Sequence, residues 1–318
     1  MGTAGRVAVI GTGLMGPGIA AVAALAGHEV ALFDADPAAA VRGVEAAARN
    51  VRQLVDGGIV GDQDGRLALP RIRQEADLDR AVAGAFWVIE AVTEKLPVKQ
   101  ALFAEIERRV GSDVIITSNT SGLRITDIAR DVRTPARTAT THFWFPGHLI
   151  PLVEIVMSEH TDPAVAERLR EILLKWGKAP VIVRRDLPGQ LANRILQAVI
   201  REASAIVDSG LASAADVDTA VKMGMGIRFP AWGPLEHVDT VGLELCLSVQ
   251  ENVLPDLYNE SHPTPLFRRL LAEGSSGVKA GKGFHDWRVR SHSDLVAERD
   301  RFVIHALKIL GRGTPSGA

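Results

Sequence analysis

Two residues twelve apart, His142 and Glu154, form the most suggestive chemical pair in the sequence. Glu154 lies inside the apolar run Leu152-Val153-Glu154-Ile155-Val156, which has the composition of a buried strand. An ionised carboxylate there costs several kcal/mol unless it is paired and hydrogen-bonded, and an imidazole from a neighbouring strand would satisfy it. His142 ends another strand-like stretch, beginning at Thr138. Histidine exchanges a proton near neutrality, and a carboxylate behind it fixes its tautomer and stabilises the imidazolium. The pair therefore suits proton transfer to and from an alcohol or carbonyl oxygen. A lone histidine is more often structural, and the glutamate is what makes this one a candidate. The loop Ser118-Asn119-Thr120-Ser121-Gly122 offers hydroxyls and backbone N–H groups, with Ser121 the candidate to orient a substrate oxygen. Asn193, near the start of a long helical stretch, is a further candidate. For Ser121 and Asn193 taken alone, a cap or turn is the commoner role.

A second constellation lies at residues 6 to 34. The apolar strand Arg6-Val7-Ala8-Val9-Ile10 runs into Gly11-Thr12-Gly13-Leu14-Met15-Gly16, then an alanine-rich helix, then Glu29-Val30-Ala31-Leu32-Phe33 ending on Asp34. A lone G-x-G-x-x-G is weak evidence, but this one has a strand before it, a helix after it and an acid 18 residues beyond Gly16. Gly11 permits the tight turn, Gly13 lets backbone approach a pyrophosphate, and Gly16 lets helix and strand pack closely, with helix N–H groups aimed at the phosphates. Asp34 accepts bonds from ribose hydroxyls and repels a 2′-phosphate, and Ala35 and Asp36 supply no guanidinium to hold one. The expected cofactor is NAD rather than NADP. With it, His142 would remove the alcohol proton as hydride leaves the same carbon, and return it in the reverse reaction.

The intervening chain must position these groups. Asp36 and Pro37 cap and start a helix to about Val55, and a second helical stretch is expected through Leu67 to Arg73. Strand Phe86–Glu90, helix Val98–Arg109, strand Val114–Ser118, a helix near Ile125–Arg130, strand Thr138–Phe143, strand Leu152–Val156, helix Pro163–Trp176 and strand Pro180–Val183 follow. Such alternation specifies an α/β fold, a Rossmann-like doubly wound, mostly parallel sheet, over residues 1–185. From Asp186-Leu187-Pro188-Gly189 onward only helical periodicity remains: Gln190–Asp208, Ala214–Met223, Pro234–Val253, Pro265–Ala272 and a final helix Ser293–Leu310. Residues 186–318 are expected to form an all-helical domain, with Ser213 and Asp216 in a capping-box-like start and a disordered tail from Gly313.

With 318 residues, 47% of them hydrophobic, the chain can bury two substantial cores. A formal net charge of -2 gives no broad basic field for nucleic acid, and no segment has the roughly 20 uninterrupted apolar residues of a membrane span. The single Cys246 excludes an intrachain disulfide and a cysteine metal cluster, and no metal site is expected. The short start before the first strand shows no signal peptide, which points to the cytoplasm.

Residues 5 to about 287 resemble the 3-hydroxyacyl-CoA dehydrogenase family. The resemblance rests on the glycine fingerprint, Glu90-Ala91-Val92-Thr93-Glu94 with Lys99, Ser118-Asn119-Thr120-Ser121, His142-Phe143, Pro151-Leu152-Val153-Glu154, Pro188-Gly189, Asn193-Arg194 and Gly281-Lys282-Gly283-Phe284. It implies that His142 is the base and Glu154 its partner, that Ser121 and Asn193 meet the substrate, and that Asp34, Glu94, Lys99, Ser121 and Lys279 contact NAD. A homodimer formed through the helical domain is implied as well. The chain departs from the family where H-F-x-N-P is replaced by His142-Phe143-Trp144-Phe145-Pro146, so an amide beside the cofactor and substrate becomes the apolar ring of Phe145. Ile150-Pro151 before Leu152, the extended segment from Gly226 to Pro234 and the added C-terminal helix resemble the branch whose substrates lack CoA, to which L-gulonate 3-dehydrogenase and lambda-crystallin belong. The expected function is reversible oxidation of a secondary alcohol on a 3-hydroxy acid or related small compound. The alternatives are a true L-3-hydroxyacyl-CoA dehydrogenase, a relative acting on an amine and imine, and an NAD-binding, crystallin-like structural protein.

Overall fold

The computed structural model describes residues 5–311, so the tail from Gly313 lies outside the described residues. The chain divides into two compact units, one reaching Leu191 and taking the chain back from Asp300, the other Ala192–Arg299.

The first unit is built on one eight-stranded sheet. Its strands are β1 Arg6–Ile10, β2 Glu29–Phe33, β3 Ile72–Gln74, β4 Ala85–Glu90, β5 Ile115–Ser118, β6 Thr138–Phe143, β7 Leu152–Val156 and β8 Ala179–Val183. Their order is β3-β2-β1-β4-β5-β6-β7-β8. All neighbours are parallel except β6 and β7, because the connection 144–151 is too short for a crossover helix. The chain winds outward from β1 through β2 to β3, then crosses to β4 and winds the other way. That reversal leaves a crevice at the carboxyl ends of β1 and β4, where open sheets of this kind bind ligands.

Helix Gly16–Leu25 is buried along its whole length, as its sequence GPGIAAVAAL allows: no side chain is polar, and the small ones permit close approach. It shares a core with Val7 and Val9 of β1 and with Ala47, Val51 and Leu54 of helix Pro37–Asp56, whose start is capped by Asp36 as expected. Leu307, with Val303 and Ile304, joins the same core, so the end of the terminal helix His292–Leu310 belongs to this first unit. The stretch expected to be helical from Leu67 to Arg73 is instead the end of helix Asp62–Ala68, a 3-10 turn Leu69–Arg71 and the start of β3. Pro70 ends the helical hydrogen bonding, and Ile72-Arg73-Gln74 extends alongside Val30-Ala31-Leu32 as an edge strand.

The second unit is helical, with Ala192–Asp208, Ala214–Ala220, Pro234–Val241, Leu243–Val253 and Pro265–Ala272 as its α-helices. Ser213 caps as expected, accepting from the Asp216 N–H at 3.1 Å. The helix from Ala214 passes into a π-helical turn, Val221–Gly226. The single helix expected over Pro234–Val253 is broken at Gly242, whose φ of 104° lies outside helical space and favours glycine. Among the described residues, no helix is long and apolar enough to cross a membrane.

Lys178, just before β8, is 3% exposed and donates to the carbonyl oxygens of Gly147 at 2.7 Å and Ile150 at 3.0 Å. Burial pushes its pKa down from 10.5 to about 7. Between these values the unfolded chain binds more protons than the folded one, so stability rises with pH over that window and the penalty is fully present below it. We expect urea unfolding to show the native protein gaining about 2 kcal/mol relative to Lys178→Met between pH 7 and pH 9.

Candidate active site

The glycine loop opens at the crevice between β1 and β4. Gly11 has a φ of 105°, and a Cβ there would lie 2.5 Å from the Ala91 carbonyl oxygen. A Cβ on Gly16 would lie 2.0 Å from the Gly11 carbonyl oxygen, so neither position admits a side chain. A Cβ on Gly13 meets nothing within 4 Å: this glycine faces open space and leaves backbone exposed to a ligand. Asp34, at the end of β2, accepts from the Thr12 N–H and hydroxyl, each at 2.8 Å, and from the Asp36 N–H at 3.1 Å. Burial raises its pKa, but these bonds outweigh that and hold it below the usual carboxylate value, so it stays ionised. The loop, its bare Gly13 and the anionic Asp34 fit the pyrophosphate and ribose of NAD. Asp34→Ala should narrow the preference for NADH over NADPH by roughly 100-fold, because like charges set together cost several kcal/mol. The ratio of kcat/KM for the two cofactors measures this.

One wall of the crevice is an ionic cluster at the ends of β4 and β5. Glu90 is fully buried, and its Oε1 accepts from Lys99 Nζ at 2.6 Å and the Val92 N–H at 2.7 Å, while its Oε2 accepts from the Ser118 hydroxyl at 2.6 Å. Lys99 also pairs with Glu94 at 3.2 Å. Glu94 gathers the following loop, accepting from the Thr120 hydroxyl at 2.5 Å and the Ser121 N–H at 3.1 Å. Burial raises the Glu94 pKa, but the Thr120 bond and the Lys99 charge more than offset it, and the group is held below its ordinary value. The expected residues Glu94 and Ser121, on loops, and Lys99, on helix Leu96–Glu107, thus come together around the Glu94 carboxylate. Glu90 was not among the expected site residues, although an acid closing the apolar run from Phe86 carries the same signal as Glu154.

Opposite this wall stand His142 and Glu154. Antiparallel pairing sets His142 directly across from Glu154. His142 Nδ1 lies 2.7 Å from Glu154 Oε2; the histidine is 8% exposed and the glutamate is fully buried. Glu154 also accepts from Trp144 Nε1 at 2.9 Å on Oε2 and from the Leu191 N–H at 2.9 Å on Oε1. Sequence reasoning missed Trp144, Leu191 and Gln190. Gln190 adopts a left-handed backbone, φ 54°, and donates its amide to the Thr120 carbonyl oxygen at 2.9 Å, tying the chain that reaches Glu154 to the Ser121 loop. Asn119 accepts the Phe143 N–H at 2.8 Å, joining β5's end to the strand that carries His142.

Between the two walls lies a cleft of about 450 Å³ lined by Gly13, Leu14, Met15, Glu94, Lys99, Ser121 and His142 among others. Phe145 also lines it and is 47% exposed, so the ring that replaces the family's amide stands at the cleft. With Nδ1 engaged by the carboxylate, Nε2 is the imidazole atom left to exchange a proton. Asn193 and Lys279 belong to the second unit. Asn193 lies in the first turn of helix Ala192–Asp208, and Lys279 lies in the 3-10 turn Val278–Ala280.

A doubly wound sheet, a glycine-rich phosphate loop with its ribose acid and a Glu-backed histidine lining the same cleft define an NAD-dependent oxidoreductase acting on CH–OH groups. The profile described as 3-hydroxyacyl-CoA dehydrogenase, NAD binding domain, matches residues 6–187, and the C-terminal domain of the same enzyme matches residues 189–287. The chain belongs to the 3-hydroxyacyl-CoA dehydrogenase family. It is 34% identical over 310 residues to 5-formyl-3-hydroxy-2-methylpyridine 4-carboxylate 5-dehydrogenase of Mesorhizobium japonicum, covering 96% of this chain and 98% of the relative. It is 36% identical over 290 residues to the mitochondrial hydroxyacyl-coenzyme A dehydrogenase of Homo sapiens, covering 89% and 91%. A crystal structure of a 5-formyl-3-hydroxy-2-methylpyridine 4-carboxylic acid 5-dehydrogenase, described as an NAD+ dependent dismutase, superposes with a TM-score of 0.89 at 33% identity over 96% of this chain and 98% of that one.

Proposed function

We propose that this enzyme interconverts a secondary alcohol and a ketone on a small acid or related compound that carries no CoA. The observation that carries the reading is Phe145, half exposed at the cleft in place of an amide. An aromatic ring there removes hydrogen-bonding capacity and fills volume beside the chemistry, which suits a compact substrate better than an acyl thioester. Likeness along nearly the whole chain to a dehydrogenase of a small pyridine carboxylate supports it.

NAD, when bound, supplies the acceptor and donor of hydride. The chain's own residues do the rest. His142 Nε2 takes the hydroxyl proton in oxidation and gives it back in reduction, while Glu154 holds the tautomer and offsets the positive charge of the imidazolium. Ser121 and Asn193 meet the substrate, and Lys279 joins Asp34, Glu94 and Lys99 in holding the cofactor. The protein works as a cytoplasmic homodimer, and the large apolar side chains of the second unit that are exposed in the single chain, among them Ile227, Phe229, Leu245 and Leu247, support a partner copy.

NADH oxidation by the purified protein, with acetoacetyl-CoA beside a panel of free 3-keto acids and sugar-acid ketones, tests this. Turnover of free ketones at about 1 to 1,000 per second with negligible thioester turnover is expected. Efficient acetoacetyl-CoA reduction by the native protein contradicts the proposal and makes it a true hydroxyacyl-CoA dehydrogenase. Thioester activity gained only in Phe145→Asn marks Phe145 as the specificity switch.

A further inference from the structure

We propose that Trp144 sets the basicity of His142 by sharing the carboxylate on which the imidazole depends. Trp144 is a positioning residue, acting through Glu154, and the inference rests on the reading of His142 as the acid–base group. Glu154 Oε2 accepts two bonds at once, from His142 Nδ1 at 2.7 Å and from Trp144 Nε1 at 2.9 Å, with the two rings 5.6 Å apart between centroids. Its other oxygen is engaged by the Leu191 N–H. The carboxylate is fully buried, so these donors stand in for water in stabilising its charge.

The negative charge that stabilises an imidazolium is therefore divided. The indole N–H draws on the same oxygen as the imidazole N–H, and in a site of low dielectric that competition is felt strongly. The carboxylate supports a protonated His142 less than it would with the imidazole as its sole partner on Oε2. Indole is a donor that does not titrate, so this restraint is constant across the working pH range.

The titratable groups sharing the cleft with His142 are Glu94 and Lys99, which pair with each other at 3.2 Å, Lys99 also being held by Glu90. On the far side of β7, strand β8 sets Val181 beside Glu154, a residue without charge. Trp144 is thus a handle on the dyad that can be removed with no change of net charge.

The test is direct titration of His142 by nitrogen NMR on full-length protein labelled with 15N-histidine, the signal being assigned by its loss in His142→Gln. In Trp144→Phe the His142 pKa should rise by about 0.5 to 1 unit. β-(3-benzothienyl)alanine at position 144 keeps the bicyclic shape and removes only the N–H, so it should give the same rise even if phenylalanine unsettles the fold. An unchanged or lowered His142 pKa with the benzothienyl residue overturns the inference. The acid limb of kcat/KM for alcohol oxidation, measured on the same proteins, should move up by the same amount. A shifted NMR titration with an unmoved limb supports the role of Trp144 and refutes His142 as the base, so the two claims fail separately.

Discussion

His142→Gln is expected to lower kcat by about 10²- to 10⁴-fold, the usual worth of a positioned general acid or base. Affinity for NADH should be unchanged. The histidine touches Glu154 and lies at the end of β6, whereas the groups proposed to hold the cofactor sit on the glycine loop, on Asp34 and on the Glu94–Lys99 wall. Glutamine keeps a hydrogen-bonding side chain of similar reach toward Glu154, which limits the damage to packing, but it cannot carry a proton between substrate and solvent. Turnover of the best panel ketone, together with NADH fluorescence titration, separates the two effects. Loss of NADH binding in parallel with kcat would make His142 a cofactor residue, and unchanged turnover would remove it from the chemistry.

The second large effect is on stability. Lys99 is 1% exposed and its ammonium lies 2.6 Å from Glu90, itself fully buried. Removing one member of such a pair leaves a buried charge uncompensated and costs about 3 to 5 kcal/mol, far more than an exposed pair contributes. Lys99→Met should therefore lower the free energy of unfolding by about that amount, a large share of the 5 to 15 kcal/mol typical of folded domains. In the double variant Lys99→Met/Glu90→Gln the charge is gone, and most of the loss should be recovered. Denaturant unfolding of the native protein, both single variants and the double variant measures the coupling. Additive single effects would show that the pair does not act as a unit. Because Lys99 also holds Glu94, the single variant should raise KM for NAD as well.

Much of this molecule is legible in its sequence because its elements are locally consistent. The β1 and β2 strands, the glycine loop and the fully buried helix Gly16–Leu25 each state their own environment in residue type. Glu154 announces a partner simply by being charged within an apolar strand, and His142 proves to be that partner by register. The short edge strand β3 is not legible: Ile72-Arg73-Gln74 carries two polar residues in three and follows a helical pattern, and it becomes a strand through pairing with β2. Gly242 breaks a helix only because its backbone turns to a positive φ, which apolar periodicity does not encode. The second donors to Glu154 were equally hidden. Trp144 reads as an ordinary aromatic residue, and the Leu191 N–H is a backbone group placed by the turn at Gly189 and Gln190.

The most direct test of the account is to follow deuterium from 4-deuterated NADH into product with the ketone that the native protein turns over fastest. With both hydrogens at C4 of the NADH replaced by deuterium, direct hydride transfer in the cleft predicts an alcohol one dalton heavier, the label on the carbinol carbon, formed by the native protein and nearly absent with His142→Gln. Label released to water, or product of unchanged mass, would contradict it.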